Sequence, residues 1–197
     1  MDLYIKGDIG RLNHETISII INNKAAEREF NALVAIIDQL SHKDIVFIVE
    51  LNSSVDSDLL KEIITRGFYI VVVIPTGILQ LKLRKDIKEM WDNNHITTIS
   101  LFPPNQTWTK YNNVLVAKFI ISISKTVLIN TIDVDCLKYL KKSLYNHLHK
   151  FFINYWSDKN DFFSDIRATP IGKNSNTGLP NIRAVKQPTP KILQLKR

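Results

Sequence analysis

The side chains of this chain that could do chemistry point to the binding of an anion rather than to bond-making. The stretch FIVELNSSVDSDLLKEIITRGFYIVVVIPTG, Phe47 to Gly77, reads as strand, loop, helix, strand and turn. Its loop is Glu50-Leu51-Asn52-Ser53-Ser54-Val55-Asp56. A loop between a strand and the helix that follows it is where open α/β proteins hold phosphate, because the first amides of the helix have no partner of their own. Ser53, Ser54 and Ser57 could add hydroxyls to those amides. Asp56 either orients a ligand or caps the helix. The loop contains no glycine, and a carboxylate, Glu50, stands at its mouth. Two like charges ~4 Å apart repel by about 4 kcal/mol at an effective dielectric of ~20. Glu50 therefore opposes an anion unless it turns away or pairs with Lys24.

Lys24 closes the turn Asn22-Asn23-Lys24 between a strand and a helix, a second position suited to an anion. Lys118 is a further basic candidate within a helix. PPNQTWTKYNN, Pro103 to Asn113, interleaves Trp108, Lys110 and Tyr111. Aromatic rings beside a cation suit base stacking on a single strand, at ~1–3 kcal/mol per base; the alternative is a rim loop whose Trp108 plugs the sheet edge. His147 and His149 stand two apart, so on a helix they point in different directions, and no third metal ligand accompanies them. Cys136 has no histidine at a telling spacing and reads as a buried thiol rather than a nucleophile. No catalytic set, metal or cofactor is expected.

The elements that would position these residues alternate. TISIII (Thr16 to Ile21), DIVFIVEL (Asp44 to Leu51), FYIVVVI (Phe68 to Ile74), ITTISLF (Ile96 to Phe102), TVLIN (Thr126 to Asn130) and KFFINYW (Lys150 to Trp156) read as strands. Helices are expected over Ala25 to Leu40, Asp56 to Arg66 with Gly67 ending it, Leu79 to Asn93, Asn112 to Ser124 and Val134 to His147. Strands apolar on both faces and separated by helices predict a Rossmann-like, doubly wound α/β fold with a mostly parallel sheet. Ligands of such sheets sit at the carboxyl ends of the strands. That rule places Asn23, Lys24, Ser53, Ser54, Gly77 and the Pro103 to Tyr111 loop on one rim.

Charge divides the 197-residue chain in two. Of its 26 Lys and Arg residues, seven lie beyond residue 165, where no Asp or Glu occurs, so residues 1–165 hold 19 basic against 19 acidic side chains. Residues 1–165 are expected to form the domain. Residues 166–197, with Arg167, Lys173, Arg183 and Lys186 among their cations, are expected to form a basic, proline-containing extended tail that cannot fold alone. That tail could meet phosphates or dock on a protein. One cysteine, no signal-like start and no long apolar run argue for a cytoplasmic protein with no membrane partner.

Taken in order, several stretches resemble the DNA-processing protein A family (DprA, also called Smf), within the Rossmann-like SLOG domains. LYIKGDI (Leu3 to Ile9) is similar to the segment before the family's first core strand, and IINNK (Ile20 to Lys24) stands in the place of its Gly-Ser-Arg turn. VELNSSVDSDLLKEIITRG lies where the family has Ser-Gly-x-x-x-Gly-Ile-Asp and a helix; VVVIPTGI resembles its Val-Leu-Gly-x-Gly strand end. ISLFPPNQ resembles Ser-Glu-x-Pro-Pro-Gly, and VAKFIISISKTVLI resembles the Arg-Asn-Arg-x-Ile-x-x-Leu-Ser helix with its next strand. Asp56, Gly77, Pro103, Pro104 and Ser124 fit the pattern. Lys24 and Lys118 stand for arginines, Glu50 and Ser54 for glycines of the phosphate loop, Pro75 for a turn glycine and Ala117 for an asparagine, which makes this a degenerate member.

The resemblance implies a non-enzymatic protein that binds single-stranded DNA at a basic rim, self-associates into a homo-oligomer and helps to load a recombinase or other protein in recombination or DNA uptake. The contacts it implies are Lys24, Trp108, Lys110, Tyr111 and Lys118, with the tail adding charge. The alternative is a degenerate Rossmann-like interaction module that docks a protein partner through its C-terminal tail. A nucleotide hydrolase of the lysine-decarboxylase-like type would need Pro-Gly-Gly-x-Gly-Thr and a following glutamate; IPTGILQ lacks both the glycine pair and the acid.

Overall fold

The computed structural model describes residues 2–40, 44–131, 134–154 and 161–186, with only the backbone described at 184 and 186. The strands are β1 (Tyr4–Lys6), β2 (Glu15–Ile21), β3 (Ile45–Glu50), β4 (Tyr69–Ile74), β5 (Ile96–Ser100), β6 (Thr126–Asn130), β7 (His149–Ile153) and β8 (Thr169–Ile171). The helices are α1 (Glu27–Gln39), α2 (Ser54–Thr65), α3 (Lys85–Met90), α4 (Lys110–Ile123), α5 (Lys141–Asn146), α6 (Asp161–Asp165) and α7 (Arg183–Lys186). All eight strands form one sheet in the order β1-β5-β4-β3-β2-β6-β7-β8. Every neighbouring pair is parallel except β1, which runs antiparallel to β5 with Tyr4 opposite Ser100.

The residue pattern explains the layering. On β3, Phe47 and Val49 pack with Leu33 and Ile36 of α1 and Leu60 of α2, whereas Val46 and Ile48 pack with Val116 and Ile120 of α4. β4 repeats this, with Ile70, Val72 and Ile74 on one face and Val71 and Val73 on the other. Each such side chain stabilises the fold by ~1.5–3 kcal/mol on burial, so the middles of β3 and β4, used on both faces, are apolar throughout. α1, α2, α3 and α7 cover one face; α4, α5 and α6 cover the other. The chain builds outward from β2 through β3, β4 and β5, then crosses under α4 to β6 on the other side of β2. The order reverses between β2 and β6, which is where an open α/β sheet leaves a crevice.

Gly67 ends α2 as its position predicts. It adopts φ +75°, where a side chain is strained, and its amide bonds back to Ile64 O at 2.9 Å.

The structure differs from the sequence expectation in four places. The helix expected over Leu79 to Asn93 is a short turn at Ile78–Gln80, an extended run and then α3. The extended run lets Leu81 and Leu83, two apart, both pack against the core under α2, and Arg84 ties it down to Asp58 at 2.8 Å and Asp86 at 2.7 Å. The helix expected from Val134 begins as a 3-10 helix to Leu140, whose three-residue turn brings Leu137 and Leu140 onto one side. Cys136 is exposed on that turn rather than buried. Finally, the tail expected from residue 166 joins the body as far as residue 186. β8 pairs with β7, and Ile166, Ile171, Ile182 and Val185 are buried. The segment cannot make a core alone, but the open edge of β7 supplies both backbone partners and apolar surface. Lys191, Lys196 and Arg197 of the expected tail, and Tyr155 and Trp156 of the expected last core strand, lie outside the described residues. Among the described residues, no helix is long and apolar enough to cross a membrane.

Candidate functional site

Because β2, β3, β4 and β5 run parallel, the turns after them share one end of the sheet. At the first, Asn22 folds the chain: its Oδ1 accepts from Lys24 N at 2.8 Å and its carbonyl from Ala25 N at 3.0 Å. This turn leaves the Asn23 and Lys24 side chains exposed, and the Lys24 ammonium has no ion-pair partner among the described residues. Behind it, Glu29 caps α1 through Ala26 N at 2.7 Å, and Asn130 at the end of β6 donates to Glu29 O at 2.8 Å. The two strands flanking the crevice are thus tied through the first turn of α1.

The second turn is different. Ser53, not Asp56, is the N-cap of α2, and the two form a reciprocal box. Asp56 N donates to Ser53 Oγ at 3.1 Å; Asp56 Oδ2 accepts from Ser53 N at 2.8 Å, Asn52 N at 3.1 Å and Ser53 Oγ at 2.8 Å. Ser57 Oγ closes on Ser53 O at 3.0 Å. The Asn52 and Ser53 amides and the Ser53 hydroxyl are therefore engaged by a carboxylate of the chain itself. Burial pushes the Asp56 carboxyl above its usual range, against the pull of the Ser53 and Asn52 hydrogen bonds. Ser54 is exposed at the start of α2.

Glu50 is half-buried at the end of β3, and its Oε1 is sealed from solvent with no hydrogen-bond partner. It makes no ion pair with Lys24 or with any other cation among the described residues. Burial first, and the nearby Asp56 second, push its pKa up to about 8. Burial thus favours the protonated form of this side chain. A raised pKa weakens the repulsion that a Glu50 carboxylate would exert on an anion.

Gly77 is buried and serves close packing. A Cβ there would stand 2.1 Å from Pro103 O and 2.3 Å from Pro104 O, and its amide already donates to Gln106 O at 2.8 Å. It locks the turn after β4 to the loop after β5. Asn112 strengthens the lock by donating to Pro75 O at 2.7 Å, while Thr109 caps α4. The loop presents Trp108, Lys110 and Tyr111. Trp108 is 50% exposed, and its Nε1 is anchored to Asn113 Oδ1 at 2.8 Å, so one end of the ring is fixed while half its surface faces water. A cleft of about 240 Å³ opens between that ring and the second turn, lined also by Asn52, Ser57, Thr76, Gln80 and Lys82. Lys82 was missed by sequence reasoning, because a helix over 79–93 would have aimed it elsewhere.

The remaining candidates lie apart from this rim. Lys118 is eight residues along α4 from Lys110, about 12 Å down the helix axis, and lines a separate groove of about 300 Å³ with Ser143 and His147. His147 donates from Nε2 to Ser124 O at 2.9 Å, and burial holds its pKa below the ordinary value. Arg167 precedes β8 at the opposite end of the sheet, its guanidinium 5.1 Å above the Tyr145 ring. Lys173 and Arg183 are exposed beyond β8 at the far edge, and Lys186 ends α7. No group of three metal-ligating side chains occurs among the described residues.

Comparison with known proteins bears on this rim. The sequence profile of the family described as DNA recombination-mediator protein A matches residues 1–134, from β1 through the whole β2–β6 core. The chain belongs to that family. Its fold agrees. DNA processing protein A (DprA) from Streptococcus pneumoniae superposes with a TM-score of 0.69 over 86% of this chain at 16% identity. DprA from Helicobacter pylori, described for its single-stranded DNA binding mode, superposes with a TM-score of 0.67 over 85% of this chain at 13% identity. This chain spans 62% of the first protein and 80% of the second. No curated protein matches it. Of the departures read from the sequence, Glu50 and Ser54 lie at the second turn, Lys24 on the first, Pro75 on the turn after β4, and Ala117 and Lys118 on α4.

Proposed function

We propose that this chain is a non-catalytic, single-stranded DNA-binding protein of recombination or DNA uptake. The strand lies across the carboxyl-end rim, from the Asn23–Lys24 turn to the Trp108, Lys110 and Tyr111 loop. The observation that carries this reading is the anchored, half-exposed Trp108 ring above a polar cleft with Lys82 on its wall. A fixed ring stacks a base at little entropic cost, and the unpaired lysines of the rim neutralise phosphates. Membership of the family and the DprA fold support the same conclusion. The reading places the protein in the cytoplasm, as a homo-oligomer, with a recombinase as its protein partner. Arg167, Lys173, Arg183 and Lys186 add long-range attraction rather than direct contacts.

Titration of a fluorescent oligo-dT with the full chain at two salt concentrations tests it. Binding that weakens with salt, and a Trp108→Ala variant weaker by about 10- to 100-fold from one lost stacking contact, are expected. An absence of binding at low salt contradicts the proposal.

A further inference from the structure

A groove at the β1 edge of the sheet takes no part in the DNA rim. β1 ends the strand order on its side and pairs only with β5 among the described residues, so its outer backbone groups form a free edge. Thr97 of β5 holds that edge in place by donating from Oγ1 to Asp8 O, just beyond β1, at 2.9 Å. Lys6 of β1 stands opposite Thr98 of β5, and both line a groove of about 370 Å³. Leu81 and Leu83 from the extended run, Trp91 after α3 and Lys88 of α3 share the lining. The three apolar side chains are only partly buried, so the fold leaves some of each uncovered. Lys82, between the two leucines, lines the Trp108 cleft, and only Leu81 is common to both surfaces. No Asp or Glu lines the groove. Lys6 and Lys88 are exposed, and neither forms an ion pair among the described residues. The acids of α3 serve other cations: Asp86 holds Arg84 at 2.7 Å, and Glu89 faces Lys85 at 4.0 Å. Lys6 alone would be the usual guard of an edge strand against stray pairing. With Lys88 on the same apolar groove, the edge offers backbone partners, an apolar seat and positive charge in one place.

We propose that this groove docks an acidic, apolar segment of a partner protein, laid in extended form along β1. The segment's backbone pairs with the free edge, and alternate side chains then face the groove, because side chains of a strand share a face every second residue. Its apolar side chains rest on Leu81, Leu83 and Trp91, and its carboxylates meet Lys6 and Lys88. Burial of apolar surface supplies the affinity, and the lysines select an acidic partner over a basic one. β1 spans ~10 Å at ~3.3 Å per residue, which suits a segment of about five residues. The lining argues against a nucleic-acid strand here. A stacked base needs an open aromatic face, as Trp108 offers, whereas this groove presents aliphatic chains and an indole packed against the core. The proposal stands apart from the DNA reading, since it uses none of the rim lysines.

Selection on the immobilised full chain from a displayed library of random decapeptides tests it, followed by anisotropy with the fluorescein-labelled winning peptide at low ionic strength. The winners are expected to carry Asp or Glu flanking Leu, Ile or Phe at alternate positions. Lys6→Glu and Lys88→Glu are each expected to bind the winning peptide about 10-fold more weakly. Lys118→Glu, the same charge change on another groove, is expected to stay within about 2-fold. Amide shifts and slowed hydrogen exchange caused by the peptide are expected at Tyr4 to Lys6. A library that yields no binder, winners without acids, or equal binding by all three variants overturns the proposal and leaves the DNA reading intact. Oligo-dT that shifts the Lys6 and Lys88 amides would make the groove a nucleic-acid surface and overturn it as well. Absence of DNA binding by a chain whose peptide binding follows the two lysines overturns the DNA reading alone.

Discussion

The turn after β2 and the turn after β3 sit side by side on one rim, yet they treat their polar groups in opposite ways. After β2, Asn22 bends the chain with its own side chain and leaves Asn23 and Lys24 free to face a ligand. After β3, Asp56 turns back and takes the Asn52 and Ser53 amides together with the Ser53 hydroxyl. The first turn is open chemistry; the second is closed. The contrast teaches that a βα turn is a phosphate site only while its amides are unemployed, and that one carboxylate three residues into the helix is enough to employ them.

The comparison can be broken most forcefully at Glu50. Its folded pKa of about 8 lies above the unfolded value of 4.5, so the folded state holds a proton that the unfolded chain gives up. Stability from this group is therefore greatest below the unfolded pKa, declines as pH rises from there, and levels off above about 8. Glu50→Gln removes that decline. It is expected to be more stable than wild type at pH 9 by on the order of 3–5 kcal/mol as an upper bound, solvent screening reducing it, and to differ little at pH 4.5, as read by urea midpoints. Equal stabilities at both pH values would remove the buried acid from the account. Next in size is Gly77→Ala, which drives a methyl into Pro103 O and Pro104 O. A loss of ~1–3 kcal/mol or more in denaturant unfolding is expected, together with weaker DNA binding, since the Trp108 loop hangs on that contact. Unchanged stability would mean that the two loops are not locked.

The reciprocal box predicts a smaller effect. Asp56→Ala is expected to cost ~1–2 kcal/mol of stability while improving DNA affinity, because it frees two amides at the rim; weaker DNA binding by a folded Asp56→Ala protein would show that Asp56 helps rather than blocks. The smallest change sharpens the contrast between the turns. Lys24→Ala should weaken oligo-dT binding about 3- to 10-fold and lower the salt slope by about 0.7, the share of one phosphate contact on a single strand. Ser54→Ala, on the closed turn, should change it less than about 2-fold. Similar losses from both variants would erase the distinction.

Much of this was legible in the residues. β3 and β4 announce a sheet covered on both faces, because Phe47, Ile48, Val71 and Val72 leave no polar position in the strand. Gly67 marked a helix end, and the order of partial motifs pointed to the family. What was not legible depended on contacts distant in sequence. Leu79 and Leu83 fit a helical spacing and Leu81 and Leu83 an extended one, and the core under α2 decides between them. The segment from Ile166 looks too polar to fold until the bare edge of β7 is set beside it. At the site, Asp56 could be read as a cap or a ligand group, and only the hydrogen bonds show that Ser53 takes the cap and Asp56 reciprocates. Lys118 lies along α4 beside a separate groove and Arg167 precedes β8 at the opposite end of the sheet, and spacing along the chain does not reveal such positions.

Amide chemical-shift mapping of the labelled full chain with a short oligo-dT tests the whole rim at once. Shifts are expected to concentrate at Asn23 and Lys24, at Lys82 and from Trp108 to Tyr111, with the Trp108 indole among the largest. Shifts gathered instead on the α4–α5 groove at Lys118 and His147, or around Arg167 at the opposite end of the sheet, would contradict it.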